Sequence, residues 1–388
     1  MSYRIGITGA GIGGLAAAAL LARSGHHVTL AERFATPRPV GSGLVVQPVG
    51  LHVLDALGAG LAARTLGAPL VRMIGHAGGR RVLDVQYRTG APGLAIHRAS
   101  LFGVLWNQVQ TSGVQIVTGA AVTGHDNGWL RRDHGDPLGP FDLIVDASGA
   151  GSVLSPPKAR KLGFGAVWAT VPWPQTALPA NQLTQRYFRA SRMAGVMPIG
   201  QMPGDPTSLA AVFWSQSEAE AAAWADTDLD AWKAATTAFW PDFAVFTAPL
   251  TRDDLTQARY THGSLARPYA EGIAFIGDAA HRASPQLGQG ANMALLDAMA
   301  LTRALTERLN GGLPDALPRY AAMRHWHRRV YQGFSAMMTP LYQSDSRLLP
   351  TLRDWALAPT ARLPGIRGVL TALVSGDVLP PLSGEIWP

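Results

Sequence analysis

The chain has 388 residues, of which 47% are apolar and 15% charged. That length suits two to three domains at ~150 residues each, and the composition excludes the disordered and fibrous classes. The net charge of +7 is carried by 30 Arg and only three Lys, scattered so that the longest clusters are pairs such as Arg80-Arg81, Arg131-Arg132 and Arg328-Arg329; this reads as a solvated, arginine-biased surface rather than a nucleic-acid footprint. The absence of Cys excludes a disulfide scaffold, a thiolate metal site and a redox dithiol.

Residues 5–22 carry no charge and have the outline of a signal peptide or a short span, but Gly6, Gly9, Gly11, Gly13 and Gly14 crowd their start. A targeting segment would place helix formers there, so the run reads as a buried strand, a tight turn and a buried helix. No other stretch reaches the ~20 apolar residues of a membrane span, and the expectation is a soluble, cytoplasmic protein. In chain order, residues 3–8 predict a parallel strand, 14–23 a helix stopped at Gly25, and 27–31 a second strand ending at Glu32, together a βαβ unit. Residues 48–57 and 61–66 read as short helices, 71–87 as a hairpin around Gly78-Gly79, 98–110 as a helix, 115–130 as alternating strands, and 143–146 as a buried strand. Strand-like runs at 166–171, 185–189 and 209–214, interrupted by Pro and Gly, predict an antiparallel sheet, and 218–240 reads as helical. The α/β pattern returns with a strand at 273–276 and helices at 290–308 and 318–334, before a Leu- and Pro-rich tail of short helices. The expected fold class is α/β. A discontinuous cofactor domain (1–70, 96–165 and 256–325) surrounds an inserted β-sheet domain (71–95 and 166–255), and C-terminal helices (326–388) follow.

The first motif is Gly9-Ala10-Gly11-Ile12-Gly13-Gly14 between a strand and a helix, with Glu32 at the end of the next strand. Gly9 permits the tight turn, Gly11 the approach of a pyrophosphate, and Gly14 close packing of helix on strand. The phosphates rest on the helix N-terminus and Glu32 accepts from a ribose. This motif leaves FAD and NAD both open. The second is Gly277-Asp278-Ala279-Ala280-His281, then Pro285, then Gly288-Gln289-Gly290-Ala291-Asn292 and Asp297. Asp278 follows a buried strand, where it can hold a sugar or ribityl hydroxyl. The Gly-Gln-Gly turn opens a long helix whose N-terminus suits the edge of an isoalloxazine that becomes negative on reduction, a stabilisation of about 0.3–2 kcal/mol.

With GAGIGG, Glu32-Arg33, Arg98 at a helix start, and GDAAHRASPQLGQGANMALLDAMAL in order and spacing, the chain resembles the p-hydroxybenzoate hydroxylase-like FAD monooxygenases over nearly its whole length. The resemblance implies one FAD on a Rossmann-like domain, a β-sheet substrate domain, and NADPH or NADH as electron donor. It further implies that oxygen adds at flavin C4a, and that the resulting (hydro)peroxyflavin oxygenates a hydrophobic aromatic or polyketide-like small molecule. Carried over by position, Gly9, Gly11, Ile12, Gly13, Gly14, Glu32, Arg33, Arg98, Val122, Gly277, Asp278, Pro285, Gly288, Gln289, Gly290, Ala291 and Asn292 are the expected FAD contacts. No side chain is required as a catalytic base, no metal or nucleic acid is implied, and a monomer or homodimer is expected.

A third segment departs from that family, which places Asp-Gly, then Ser three residues after the Gly and Arg three further on. Here Gly149 and Ser152 match, but Ser148 stands at the Asp and Ser155 at the Arg. Two charged contacts near the nucleotide route are therefore missing, with Arg33 or Arg38 as substitutes, and slow nucleotide-driven flavin reduction is expected. The departure favours a flavin oxidase or dehydrogenase of the same fold as the alternative. A non-catalytic FAD-binding protein is the other. The Trp-x-Trp-x-Ile-Pro signature of the related halogenases is missing. His281 and Arg282 suit loop anchoring as well as catalysis, and His325 and His327 are expected on a solvated helix face. Among the aromatics of the sheet (Trp168, Trp173, Tyr187, Phe188, Phe213 and Trp214), core filling is favoured over pocket lining.

Overall fold

The computed structural model describes residues 2–36, 41–155, 159–307 and 311–384. Its first sheet has six strands in the order Tyr269–Ala270, Ile273–Phe275, Leu143–Asp146, Arg4–Thr8, His27–Ala31 and Gln115–Val117. All pairs are parallel except the first, a short antiparallel edge. Buried on both faces, Ile5–Thr8 and Leu143–Asp146 are apolar almost throughout, as parallel strands between helical layers must be. The alanine-rich helix Ile12–Arg23 packs against Gly290–Thr306, and a Cβ on Gly13 would lie 3.2 Å from that of Ala294, so small residues set how closely the two helices meet.

The chain leaves this sheet after Asp146, builds most of a second one and returns at Tyr269. The second sheet has eight strands, ordered His281–Arg282, Thr256–Ser264, Arg160–Pro172, Leu209–Ser217, Arg192–Pro198, Gln182–Phe188, Arg72–Ala77 and Arg80–Gln86. It is antiparallel except where Gln182–Phe188 runs parallel to Arg72–Ala77, because the hairpin comes from an earlier stretch of chain and joins as a unit. Alternation sorts its faces. Val167, Ala169, Val212 and Trp214 pack under a layer holding Trp224, Trp232, Trp240, Phe243 and Phe246. Trp168, Leu183, Met193, Met197 and Phe213 turn the other way, toward strand Gly43–Val46 and the C-terminal helices. The structure is thus a Rossmann-like α/β fold with an inserted, mainly antiparallel β-sheet and C-terminal helices.

Several elements differ from expectation. Residues 218–240 are not one helix, because two start signals divide them: Ser217 and Glu220 form a capping box for Glu218–Ala222, and Asp228 caps Leu229–Phe239. The hairpin joining Gln182–Phe188 to Arg192–Pro198 turns at Arg189, with φ +52°, instead of at a glycine, so no turn residue announced the second strand. Helix Leu313–Tyr342 runs through Pro318 and Pro340 and is longer than predicted. Helix Gly290–Thr306 stops short of Arg308, which lies outside the described residues. His327 is fully buried, not solvated. Pro364–Ser375 lies along Arg80–Gln86, where Thr371 Oγ1 donates to Gln86 O at 2.9 Å, and so covers an otherwise open sheet edge.

A tight point of the fold is Gly14, where an added Cβ would sit 1.9 Å from Gly9 O. Gly14→Ala should therefore cost roughly 1–3 kcal/mol, read as a lower denaturant midpoint with an unchanged slope.

Candidate cofactor site

Gly9 adopts φ +99°, and a Cβ there would fall 2.7 Å from Ala147 O and from Ser148 Cα. Its N–H donates to Ala31 O at 2.8 Å, closing the loop over two strand ends. Gly11 is different in kind. It is exposed, a Cβ on it would meet nothing within 4 Å, and it caps helix Ile12–Arg23 with no side-chain bond to the first-turn N–H groups. That open space above unpaired donors can receive an anion. Ile12 is half-buried beside it. Glu32 is buried, and its Oε2 and Oε1 accept from Ala10 N at 2.7 Å and Phe34 N at 3.0 Å. The carboxylate thus braces the glycine loop, and each oxygen keeps a lone pair for a hydroxyl. Arg33 is exposed over the Phe34 ring at 4.7 Å; Arg38 lies outside the described residues.

The second motif meets the first across a cleft. Gly277, with φ +58°, donates its N–H to Asp297 Oδ2 at 3.0 Å, which leaves Asp278 pointing outward. Solvent reaches the Asp278 side chain, yet surrounding protein pushes its carboxyl pKa up, against the opposing pull of His281, Arg98 and Arg282. Arg98 starts helix Arg98–Gln110 and is likewise exposed. Desolvation lowers its pKa while Asp278 raises it. Two opposite charges that solvent touches and protein nonetheless desolvates lie in a concavity and feel each other across it.

Beyond Pro285–Leu287, Gly288 turns left-handed at φ +60° and helix Gly290–Thr306 begins. The side chains of this turn face inward. Asn292 Oδ1 accepts from Gln47 N at 2.8 Å and its Nδ2 donates to Gly288 O at 3.1 Å and Val45 O at 3.2 Å; Gln289 Nε2 donates to Val374 O at 2.9 Å. Open space therefore remains over the backbone of Gly290, which has no neighbour within 4 Å of an added Cβ. Pro285 is exposed and Ala291 half-buried at the same rim. Val122 is half-buried against the apolar cluster of Leu130, Ile144 and Phe275.

Sequence reasoning noted Asp297 but not its role. It is buried, accepts from His281 Nε2 at 2.6 Å and Arg324 Nε at 2.8 Å, and so ties the Gly277 turn to helix Leu313–Tyr342. Burial alone would raise its pKa, but the charges of His281 and Arg324 hold it well below the carboxylate range. Arg324 also donates to Pro381 O at 2.6 Å, and His327 bonds Gly376 O at 2.8 Å. Burial, then Arg324, lowers the His327 pKa to about 3. Between the unfolded value of 6.5 and about 3 the unfolded chain binds the extra proton, so stability falls as pH falls through that window, at up to ~1.4 kcal/mol per pH unit. Denaturation midpoints of wild type and His327→Gln across this range should show the slope in the first and a weaker one in the second.

In the departing segment, buried Asp146 accepts from Ser148 Oγ at 2.6 Å and Ser152 Oγ at 2.5 Å, while Ser155 Oγ donates to Ala279 O. A carboxylate is present after all, two residues earlier and turned inward. Among the described residues no group of His, Asp and Glu is placed to hold a metal, and no helix is long and apolar enough to cross a membrane.

A family profile described as "FAD binding domain" matches residues 2–129 and 155–332. A 2-heptyl-3-hydroxy-4(1H)-quinolone synthase of Mycobacteroides abscessus is 30% identical, over 81% of this chain and 84% of its own. The chain belongs to the FAD-binding-domain family of FAD-dependent monooxygenases. A probable 2-heptyl-3-hydroxy-4(1H)-quinolone synthase of Rhodococcus erythropolis is 29% identical over 93% of this chain and 92% of its own. In fold, this monooxygenase resembles a Klebsiella pneumoniae protein solved with FAD and uric acid, with a TM-score of 0.80 at 22% identity over 97% and 98% of the two chains. Monooxygenases of this family use NADPH or NADH as reductant. The cleft fits the dinucleotide: open space over an uncapped helix start, an outward carboxylate facing a cation, and a second open helix start at Gly290.

Proposed function

We propose that the FAD lies along this cleft, with its pyrophosphate over Gly11 and the first turn from Ile12, and the adenosine ribose against Glu32. Arg98 and Asp278 hold the phosphate and a ribityl hydroxyl, and the N–H groups of Gly290 and Ala291 face the pyrimidine edge. The observation that carries this is two open helix starts together with a desolvated Arg98 and Asp278 that act on each other. Bound FAD supplies the oxygen activation, drawing electrons from NADPH or NADH. The chain contributes helix-terminal dipoles that favour negative charge at the reduced flavin.

The substrate in this reading is a bicyclic nitrogen heteroaromatic with an alkyl tail, of the 4-quinolone type, which is hydroxylated on the ring. Support comes from the names of the two quinolone synthases and from the sheet face toward Gly43–Val46, where Trp168, Met73, Leu83 and Leu183 are only partly covered. Trp173, Tyr187, Phe213 and Trp214 are packed into core clusters, Phe188 faces solvent, and Trp168 alone of the six aromatics sits half-open at this face. The test is NAD(P)H oxidation with 2-heptyl-4-quinolone against a monocyclic hydroxybenzoate. Stimulation by the first and not the second supports the assignment, and the reverse overturns it.

Nucleotide-driven reduction should be slow without substrate, because Asp146 is turned inward onto Ser148 and Ser152 and Ser155 offers no cation. A carboxylate at Ser148 alone would repel Asp146, so the informative variant exchanges the two, Asp146→Ser with Ser148→Asp. Stopped-flow reduction that saturates at lower NADPH in the exchange variant is the expected result. Rapid, low-KM reduction of the wild type without substrate would contradict it.

A further inference from the structure

The C-terminal elements that cover strand Arg80–Gln86 leave an apolar outer side. Leu348 (82% exposed), Leu352, Trp355 (63%), Leu363, Ile366 and Val369 are all exposed within 22 residues of chain. A single exposed Leu needs no explanation, but a concentration of large apolar side chains does. The same stretch carries Arg362 and Arg367, with Arg347 just before it, and its one carboxylate, Asp354, is neutralised by the buried Arg353, whose Nε lies 2.6 Å away. Beside it, between the hairpin Arg72–Gln86 and residues 354–362, opens a cavity of about 670 Å³ whose charged and titratable lining is His76, Arg80, Arg81, Arg362 and Asp354, the last already paired with Arg353. Arg81 is bridged to Asp84, whereas among the described residues neither Arg80 nor Arg362 forms an ion pair, the Asp354 carboxylate of the same lining being taken by Arg353. His76 Nδ1 is buried there with no partner. The Arg80 guanidinium carbon lies over the Trp355 ring, 3.4 Å from its centroid, which joins the arginine-lined cavity to the apolar side chains.

We propose that this surface is a docking site for a bilayer rich in anionic phospholipid. A headgroup phosphate enters the cavity between Arg80 and Arg362, and Trp355, Leu352 and Leu363 settle into the headgroup boundary, where amphipathic rings and apolar side chains are favoured. A second copy of the chain fits less well, since a twofold contact would press this arginine-rich patch against itself. Such docking is peripheral, goes beyond the oxygenation reaction, and does not rest on the proposed substrate.

The test is co-sedimentation of the FAD-loaded protein with vesicles of phosphatidylcholine alone and of an equimolar mixture with phosphatidylglycerol. Partition is expected into the mixed vesicles only, and weaker as salt is raised. Each arginine near such a surface contributes about fivefold, so Arg80→Gln with Arg362→Gln should lower the partition coefficient about 25-fold with FAD content unchanged. Trp355→Ser with Leu363→Ser should lower it independently of salt. Absence of partition into anionic vesicles at low salt, or partition that neither double variant alters, overturns the proposal. So does a concentration-dependent dimer that Trp355→Ser with Leu363→Ser dissociates while wild type ignores vesicles.

Discussion

Gly11→Asp should fold like the wild type and purify colourless. Gly11 has φ −76° and ψ 180°, which any residue adopts, and nothing stands within 4 Å of its missing Cβ. Aspartate is moreover a preferred residue at a helix N-cap, so the substitution has no structural cost to hide behind. It places a carboxylate where the pyrophosphate would rest, adding like-charge repulsion to lost space. FAD affinity should fall at least about a hundredfold, or ~2.7 kcal/mol. Gly11→Asn fills the same space without the charge and should retain part of the binding. Equilibrium dialysis with FAD, alongside thermal unfolding of the FAD-free proteins, separates loss of site from loss of fold. A yellow, stoichiometrically loaded Gly11→Asp protein would remove the pyrophosphate from this helix.

Asp278→Ala carries the second large effect. Removing a charge-assisted hydrogen bond from a desolvated site costs about 1.5–3 kcal/mol, roughly ten- to hundredfold in FAD affinity. Asp278 also gives the effect a pH signature. Burial raises its pKa, so the carboxylate takes up a proton earlier than a free aspartate as the pH falls, and FAD affinity of the wild type should fall with it. Asp278→Asn should show weaker binding with that dependence removed. A dissociation constant equal to the wild type's at every pH in both variants would move Asp278 from the cofactor to the turn.

Much of the cleft was legible because its residues are chosen by local backbone demands. Gly9 and Gly14 are glycines because a Cβ at either would collide with main chain, Gly288 because the turn is left-handed, and Arg98 stands at a helix start the chain itself marks. The two regular sheets follow from apolar runs of period two or none. What could not be read depends on distant partners. Asn292 supports Gln47 across 245 positions, and His327 reaches Gly376 across 49. A histidine two residues from another on a helix carries no local sign that its neighbours bury it. Gln289 and Asn292 belong to the expected turn yet face inward, since spacing places a residue at a site without stating which way its side chain points. Ser148 read as a lost charge, whereas the structure shows the carboxylate at Asp146 gathered inward by two hydroxyls.

The most direct measurement of the central claim is product mass spectrometry after turnover of the FAD-loaded enzyme with NAD(P)H and 2-heptyl-4-quinolone under ¹⁸O₂. A monooxygenase acting on this substrate class transfers one oxygen atom, so the product should carry a single ¹⁸O, with the other atom leaving as water. An oxidised product without label, matched by hydrogen peroxide equal to the oxygen consumed, would identify an oxidase instead and contradict the account.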